Sequence, residues 1–187
     1  MFFAPLLSGC VSHNAPGDLA FSAITLVDWR DHAELAGPID SPKYARPLLK
    51  VEFTSAVNLV QFTMDNSYPT FGVRTSFCGR PSPWWGLGWP WVYWRGVELS
   101  WLRQNPIEQV AAGSRIAYDV FLNVSGQVRP ADSPTEEGYD LRHRPQDICL
   151  SVGARDMLGF GFESNTVVIP KEAIAAALRS AQRVPAN

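Results

Sequence analysis

The chain is short of charge. Asp, Glu, Lys and Arg make up 18% of its 187 residues, against roughly 25% in an average soluble domain. Only three of its cations are lysine, and the formal net charge is −2. No basic run occurs, so the electrostatic footprint of a nucleic-acid partner is missing. Long apolar runs are missing too: none approaches the about 20 residues that cross a bilayer as a helix. Histidine is scarce, with His13, His32 and His143 alone. Cysteine occurs three times and never as CxxC, which removes the common zinc ribbons. No GxSxG appears, which removes the nucleophile-elbow hydrolases. The GFG at Gly159 to Gly161 is too short for a dinucleotide loop and sits between strands rather than before a helix.

What is present is apolar and aromatic. Hydrophobic residues make up 46% of the chain and aromatics 12%, which with low charge argues against disorder. A chain of this length forms one domain with a substantial core. Period-two alternation recurs along it and marks half-buried strands. In IAYDVFLNV the residues Ile116, Tyr118, Val120, Leu122 and Val124 share one face. LLKVEFTS sets Leu49, Val51 and Phe53 against Lys50, Glu52 and Thr54. NLVQFTMD sets Val60, Phe62 and Met64 against Gln61 and Thr63. VYWRGVELSWL places Tyr93, Val97, Leu99 and Trp101 together, broken at Arg95. LAFSAITLVDW and NTVVIP complete the set with FGVRTSFC and ICLSVGA, and DNSYP, NVSGQ and GPIDSP supply turn chemistry between strands. The pattern predicts a mainly β fold: an antiparallel β-sandwich of about seven or eight strands with one C-terminal helix. That helix starts at Pro170, a residue suited to the first turn, and KEAIAAALRSAQR aligns Ile174, Ala177, Leu178 and Ala181.

The N-terminus reads MFFAPLLSGC and then turns polar. Leu7-Ser8-Gly9-Cys10 resembles the lipobox of bacterial lipoproteins, in which an aliphatic and two small residues precede a cysteine. Small side chains let the extended peptide enter a signal peptidase, and the thiol must be free to take a diacylglyceryl group. The basic segment that usually precedes the apolar run is missing, so residues 1–9 read as part of a signal peptide, 10–18 as a tether, and 19–187 as the single domain. The resemblance implies that Cys10 is the lipidation site and first mature residue, with three acyl chains. Each buried CH₂ adds about 0.8 kcal/mol of membrane affinity. It also implies a place in the outer membrane, facing the periplasm, because Val11 and not Asp follows the cysteine.

An oxidising compartment would let Cys78 and Cys149 form a disulfide. Phe71, Val73 and Phe77 share one face of their strand, so Cys78 points to the other. Ile148, Leu150 and Val152 do the same to Cys149. The alternative is two buried free thiols acting as small hydrophobes.

Six of the seven tryptophans fall between Trp84 and Trp101, in GRPSPWWGLGWPWVYWRG and the residues that follow it. Pro81, Pro83, Pro90, Gly86 and Gly88 rule out a regular strand before Trp91. Such a stretch can cover one end of the sandwich, present rings for a sugar or protein partner, or sit at a lipid headgroup interface. The candidate binding residues are Trp84, Trp85, Trp89 and Trp91. A second long loop, around residues 125–146, mixes acids with Arg129, Arg142 and Arg144 and reads as a solvated loop with scattered ion pairs. His143 lies between two arginines, a poor setting for a general base. His32 in DWRDH resembles a metal cluster only loosely and reads as a polar turn. No catalytic residue, metal ligand or cofactor site stands out. A carboxylate pair is the one catalytic arrangement left open. The expected role is therefore a non-catalytic binding or scaffolding domain held to the membrane by its lipid, with an envelope protein or a glycan such as peptidoglycan as partner.

Overall fold

The computed structural model describes residues 16–32, 47–66, 68, 70–80, 86–88, 91–99, 114–128, 135–155 and 161–181. The chain runs β1 (Ala20–Val27), a 3-10 turn (Trp29–Asp31), β2 (Leu48–Ser55), α1 (Leu59–Asp65), β3 (Thr70–Phe77), β4 (Tyr93–Trp94), β5 (Val97–Glu98) and β6 (Ile116–Asn123). It continues through β7 (Ser125–Val128), β8 (Glu137–Asp140), β9 (Ile148–Arg155), β10 (Gly161–Glu163), β11 (Val167–Ile169) and α2 (Lys171–Ala181). One antiparallel sheet has the order β1-β2-β6-β4-β5. The other is built on β9, with β3 along its full length on one side and β10 and β11 sharing the opposite side. β7 and β8 form a separate hairpin.

Alternation explains why the two sheets close on each other. Leu49, Val51 and Phe53 of β2 and Tyr118, Val120 and Leu122 of β6 have no solvent exposure. They form one cluster with Val73 and Phe77 of β3 and with Ile148, Leu150 and Val152 of β9. Burying each large apolar side chain contributes about 1.5–3 kcal/mol. The expected antiparallel sandwich with a C-terminal helix is thus the observed one. α2 lies against β1 and buries Ile174, Ala177 and Leu178. Its Lys171 N–H donates to Asp147 Oδ1 at 2.8 Å, satisfying one of the donors a helix N-terminus leaves open. The side chains of Phe71 and Ala181, assigned to buried faces, lie outside the described residues, as does Trp101.

Asp18, the last residue assigned to the tether, is fastened to the sandwich. Its carboxylate accepts from the Ser55 hydroxyl at 3.0 Å and from the Ala56 N–H, and pairs with Arg115 at 3.2 Å. Burial alone would raise its pKa, but these donors outweigh it and hold the carboxyl below its ordinary value. A depressed carboxyl stabilises the fold above the unfolded carboxylate range, and that contribution is lost as the pH falls through the folded value.

Three segments depart from the alternation reading. NLVQFTMD is not a strand. Asn58 caps it, its side chain accepting from the Gln61 N–H at 3.1 Å, and residues 59–65 form a helix that buries Leu59, Val60 and Thr63 and leaves Met64 42% exposed. VYWRGVELSWL is not one strand either. Arg95 (φ 47°) and Gly96 (φ 77°) both sit in the left-handed region, as a two-residue hairpin turn requires, so β4 folds back on β5. The loop around 125–146 contains the β7–β8 hairpin, in register from Ser125↔Asp140 to Val128↔Glu137.

A buried hydrogen bond ties the helix α1 to β6 of the first sheet. The Leu59 N–H donates to the Tyr118 hydroxyl at 3.0 Å inside the core. Burial pushes the Tyr118 phenol up to about 12, so it stays neutral. Tyr118→Phe strands that N–H, and urea unfolding should show a loss of about 1–2 kcal/mol with the packing otherwise kept. A loss below about 0.3 kcal/mol would show that water replaces the hydroxyl.

Candidate functional site

The tryptophan-rich stretch is anchored by the residues at its middle. Leu87 has no solvent exposure and is part of the core. Its N–H donates to Thr75 Oγ1 on β3 at 2.9 Å. Its carbonyl accepts from the Asn123 N–H on β6 at 2.8 Å and from the Tyr139 hydroxyl on β8 at 3.1 Å. Gly88 forms an antiparallel bridge with Leu122. Gly86-Leu87-Gly88 therefore lies between the two sheets and is bonded to both.

The glycines make this approach possible. A Cβ on Gly86 would lie 1.5 Å from the Thr75 carbonyl oxygen, and one on Gly88 would lie 2.3 Å from the Phe121 carbonyl oxygen. Neither distance is compatible with a side chain. Trp85 and Trp89 are the immediate chain neighbours of this tripeptide. Trp84, Trp85 and Trp89 themselves lie outside the described residues. Trp91 is described and is 37% exposed, just before β4. Trp94 is half buried against the core, with the Arg95 guanidinium 4.8 Å from its ring centre. Val97, on the facing strand of that hairpin, is exposed. An exposed ring, a capped ring and an exposed valine thus share the edge of the first sheet.

A concavity lies beside Tyr139, whose hydroxyl donates to the Leu87 carbonyl. The β7–β8 hairpin leans over the corner after β3 and encloses a cleft of ≈ 230 Å³. Its apolar wall is Phe77, Val128 and Tyr139, with the Phe77 and Tyr139 rings edge to face at 5.5 Å. Burial pushes the Tyr139 phenol up to about 12, so it stays protonated and serves as donor to Leu87. The polar wall carries Arg80, Glu137, Asp140, His143 and Arg144. Arg142 Nε donates to Asp140 at 2.9 and 3.2 Å and its Nη2 at 2.6 Å. Those bonds hold the Asp140 carboxyl down at about 2. Arg80 reaches Glu137 at 3.6 Å. His143 Nε2 stands 3.9 Å from Asp140, with its side chain almost fully in solvent. Each carboxylate lining the cleft is thus paired with a guanidinium. Sequence distance hid this grouping: Phe77 and Arg80 meet residues 128 and 137–146 only through the fold.

Cys78 and Cys149 form a disulfide with their Cα atoms 5.0 Å apart. Register explains the meeting. Ser76 is the residue opposite Cys149, so Cys78 is its diagonal neighbour on the same face. Cys10 lies outside the described residues. DWRDH forms a polar turn in which the Arg30 N–H donates to Asp28 Oδ1 at 3.0 Å. Among the described residues no three His, Cys, Asp or Glu side chains gather as a metal site, and no helix is long and apolar enough to cross a membrane. No protein-family model matches this chain, and neither a curated protein nor a solved structure does.

Proposed function

We propose that this protein is a lipid-anchored lipoprotein of the bacterial cell envelope, whose β-sandwich binds or scaffolds rather than catalyses. One observation carries the reading. Of three cysteines, two are consumed in the Cys78–Cys149 disulfide, a bond that persists outside a reducing cytosol. The third, Cys10, ends the lipobox-like Leu7-Ser8-Gly9-Cys10. The disulfide and the acylation signal both fit export from the cytosol, and Val11 after the cysteine fits the outer membrane with the domain facing the periplasm.

The binding part of the reading rests on the anchored tryptophan stretch. Exposed apolar residues that cluster mark interaction surfaces, and Trp91 and Val97 are both exposed at the hairpin edge. The partner is an envelope protein met by Trp84, Trp85, Trp89 and Trp91. Exposure of the Trp91 ring favours a second reading, stacking against a glycan such as peptidoglycan.

The test is metabolic labelling with palmitate in the protein's own host. Label should enter the wild-type protein and be absent from Cys10→Ala, which should leave the membrane fraction. An unlabelled wild type, or a Cys10→Ala variant that fractionates unchanged, overturns the anchor. Soluble peptidoglycan fragments that shift tryptophan emission in the wild type but not in Trp91→Ala would decide for the glycan.

A further inference from the structure

We propose that the cleft beneath the β7–β8 hairpin is a binding site for a small carboxylate-bearing ligand with an apolar body, distinct from the tryptophan stretch. Charge decides the sign of the ligand. Three guanidinium groups, Arg80, Arg142 and Arg144, stand at or beside the cleft against two carboxylates, Glu137 and Asp140. Asp140 is saturated. Its Oδ1 accepts from the Arg142 N–H at 2.9 Å as well as from the Arg142 side chain, so it has little left to offer Arg144. Arg144 makes no ion pair among the described residues. Arg80 meets Glu137 by a single long contact at 3.6 Å, which leaves most of its five donors available.

The same turn sets the geometry. The Asp140 carbonyl accepts from the N–H groups of His143 at 3.2 Å and Arg144 at 3.0 Å. Leu141 between them is buried and donates to the Val124 carbonyl at 2.9 Å. The backbone carrying His143 and Arg144 is therefore fixed against the sandwich. Arg80 is likewise fixed, two residues from the disulfide, with its N–H on the Phe77 carbonyl at 3.0 Å. Rigid backbone beneath long cationic side chains lowers the cost of holding an anion.

Size and wall chemistry set the ligand's body. At ≈ 230 Å³ the cleft falls below the roughly 300–1,000 Å³ of pockets that take drug-sized molecules. It suits one amino-acid-sized unit. Phe77, Val128 and Tyr139 offer an apolar wall to its side chain, and Arg144 with Arg80 faces its carboxylate. Such a unit is either a free small acid or the last residue of a peptide chain.

Calorimetric titration of the full chain separates these. The probes are N-acetyl-phenylalanine, its amide, and the tripeptide Gly-Gly-Phe as the free acid. The acid should bind at least about tenfold more tightly than the amide. Arg144→Gln should weaken the acid by about tenfold and leave the amide unchanged. Arg30→Gln, which removes an exposed arginine outside the cleft, should change neither. Thermal unfolding of Arg144→Gln should match wild type, since the group makes no ion pair that the fold would lose. Tripeptide binding equal to or tighter than the N-acetyl acid identifies a chain end as the ligand, and weaker binding identifies a free acid. Equal binding of acid and amide, an unaffected Arg144→Gln, or no saturable heat up to about 10 mM acid would overturn the site.

Discussion

Replacing Gly86 with alanine will destabilise this protein by about 3 kcal/mol or more, the upper end of what overpacking costs. The added methyl would lie 1.5 Å from the Thr75 carbonyl oxygen, 2.5 Å from its carbon and 2.8 Å from its Oγ1. Two of those three atoms are backbone. They belong to β3, which is laddered to β9 over all eight residues, so Thr75 cannot retreat without breaking a strand pair. The tripeptide must move instead, and it then gives up the Leu87 bonds to Thr75, Asn123 and Tyr139 together. Gly88→Ala acts on the opposite wall, 2.3 Å from the Phe121 carbonyl oxygen, and should cost a similar amount. Gly138→Ala is the control, because nothing lies within 4 Å of its Cβ position. It should be near neutral. In thermal unfolding about 3 kcal/mol corresponds to roughly 6–12 °C for a chain of this size. A Gly86→Ala protein within about 0.5 kcal/mol of wild type would show that the tripeptide does not sit between the sheets.

Removing the disulfide should cost a comparable amount by another route. Cys78 and Cys149 are 71 residues apart in sequence. Closing a loop of that length in the unfolded chain is worth about 4 kcal/mol on the chain-entropy account. Small domains have about 5–15 kcal/mol in total, so the loss is a large share. A local effect follows as well. The Cys78 N–H donates to the Asp147 carbonyl at 2.9 Å, and Asp147 Oδ1 accepts from the Lys171 N–H that opens α2. Cys78→Ala/Cys149→Ala should therefore speed amide exchange in the first turn of α2 ahead of the rest of the helix. Urea unfolding with and without reductant measures the main effect. Identical midpoints under both conditions would mean that the sulfurs are not bonded in solution.

Much of the sandwich is legible in the sequence because one face of most long strands is dry. β2, β3, β6 and β9, each of eight residues, carry that alternation, while β1, of the same length, has no buried residue and alternates less clearly. NLVQFTMD fails because its apolar residues fit a period of two and of 3.6 equally well over so short a span. The deciding signal is the capping Asn58, a local hydrogen bond and not a pattern. Arg95 marks a break, yet only the pair Arg95-Gly96 shows that the break is a reversal. The cysteines illustrate the divide between parity and distance. Alternation places both on one face, while the 5.0 Å between their Cα atoms comes from the register of β3 on β9. The seat of Gly86-Leu87-Gly88 is illegible for a simpler reason. A glycine that admits another backbone records its purpose as a missing side chain, and the atoms it admits belong to strands elsewhere in the chain.

Seating Leu87 also has a temporal consequence. Its partners are 12, 36 and 52 residues away in sequence, at Thr75, Asn123 and Tyr139. The slot exists only once strands from both walls stand opposite each other, so the tripeptide is expected to enter after the walls have assembled. Interactions that form after the folding barrier govern the rate of escape from the native state and not the rate of arrival. Leu87 therefore acts as a latch on the time axis. Shortening it should let the protein open sooner under protease or heat while leaving its refolding speed almost untouched.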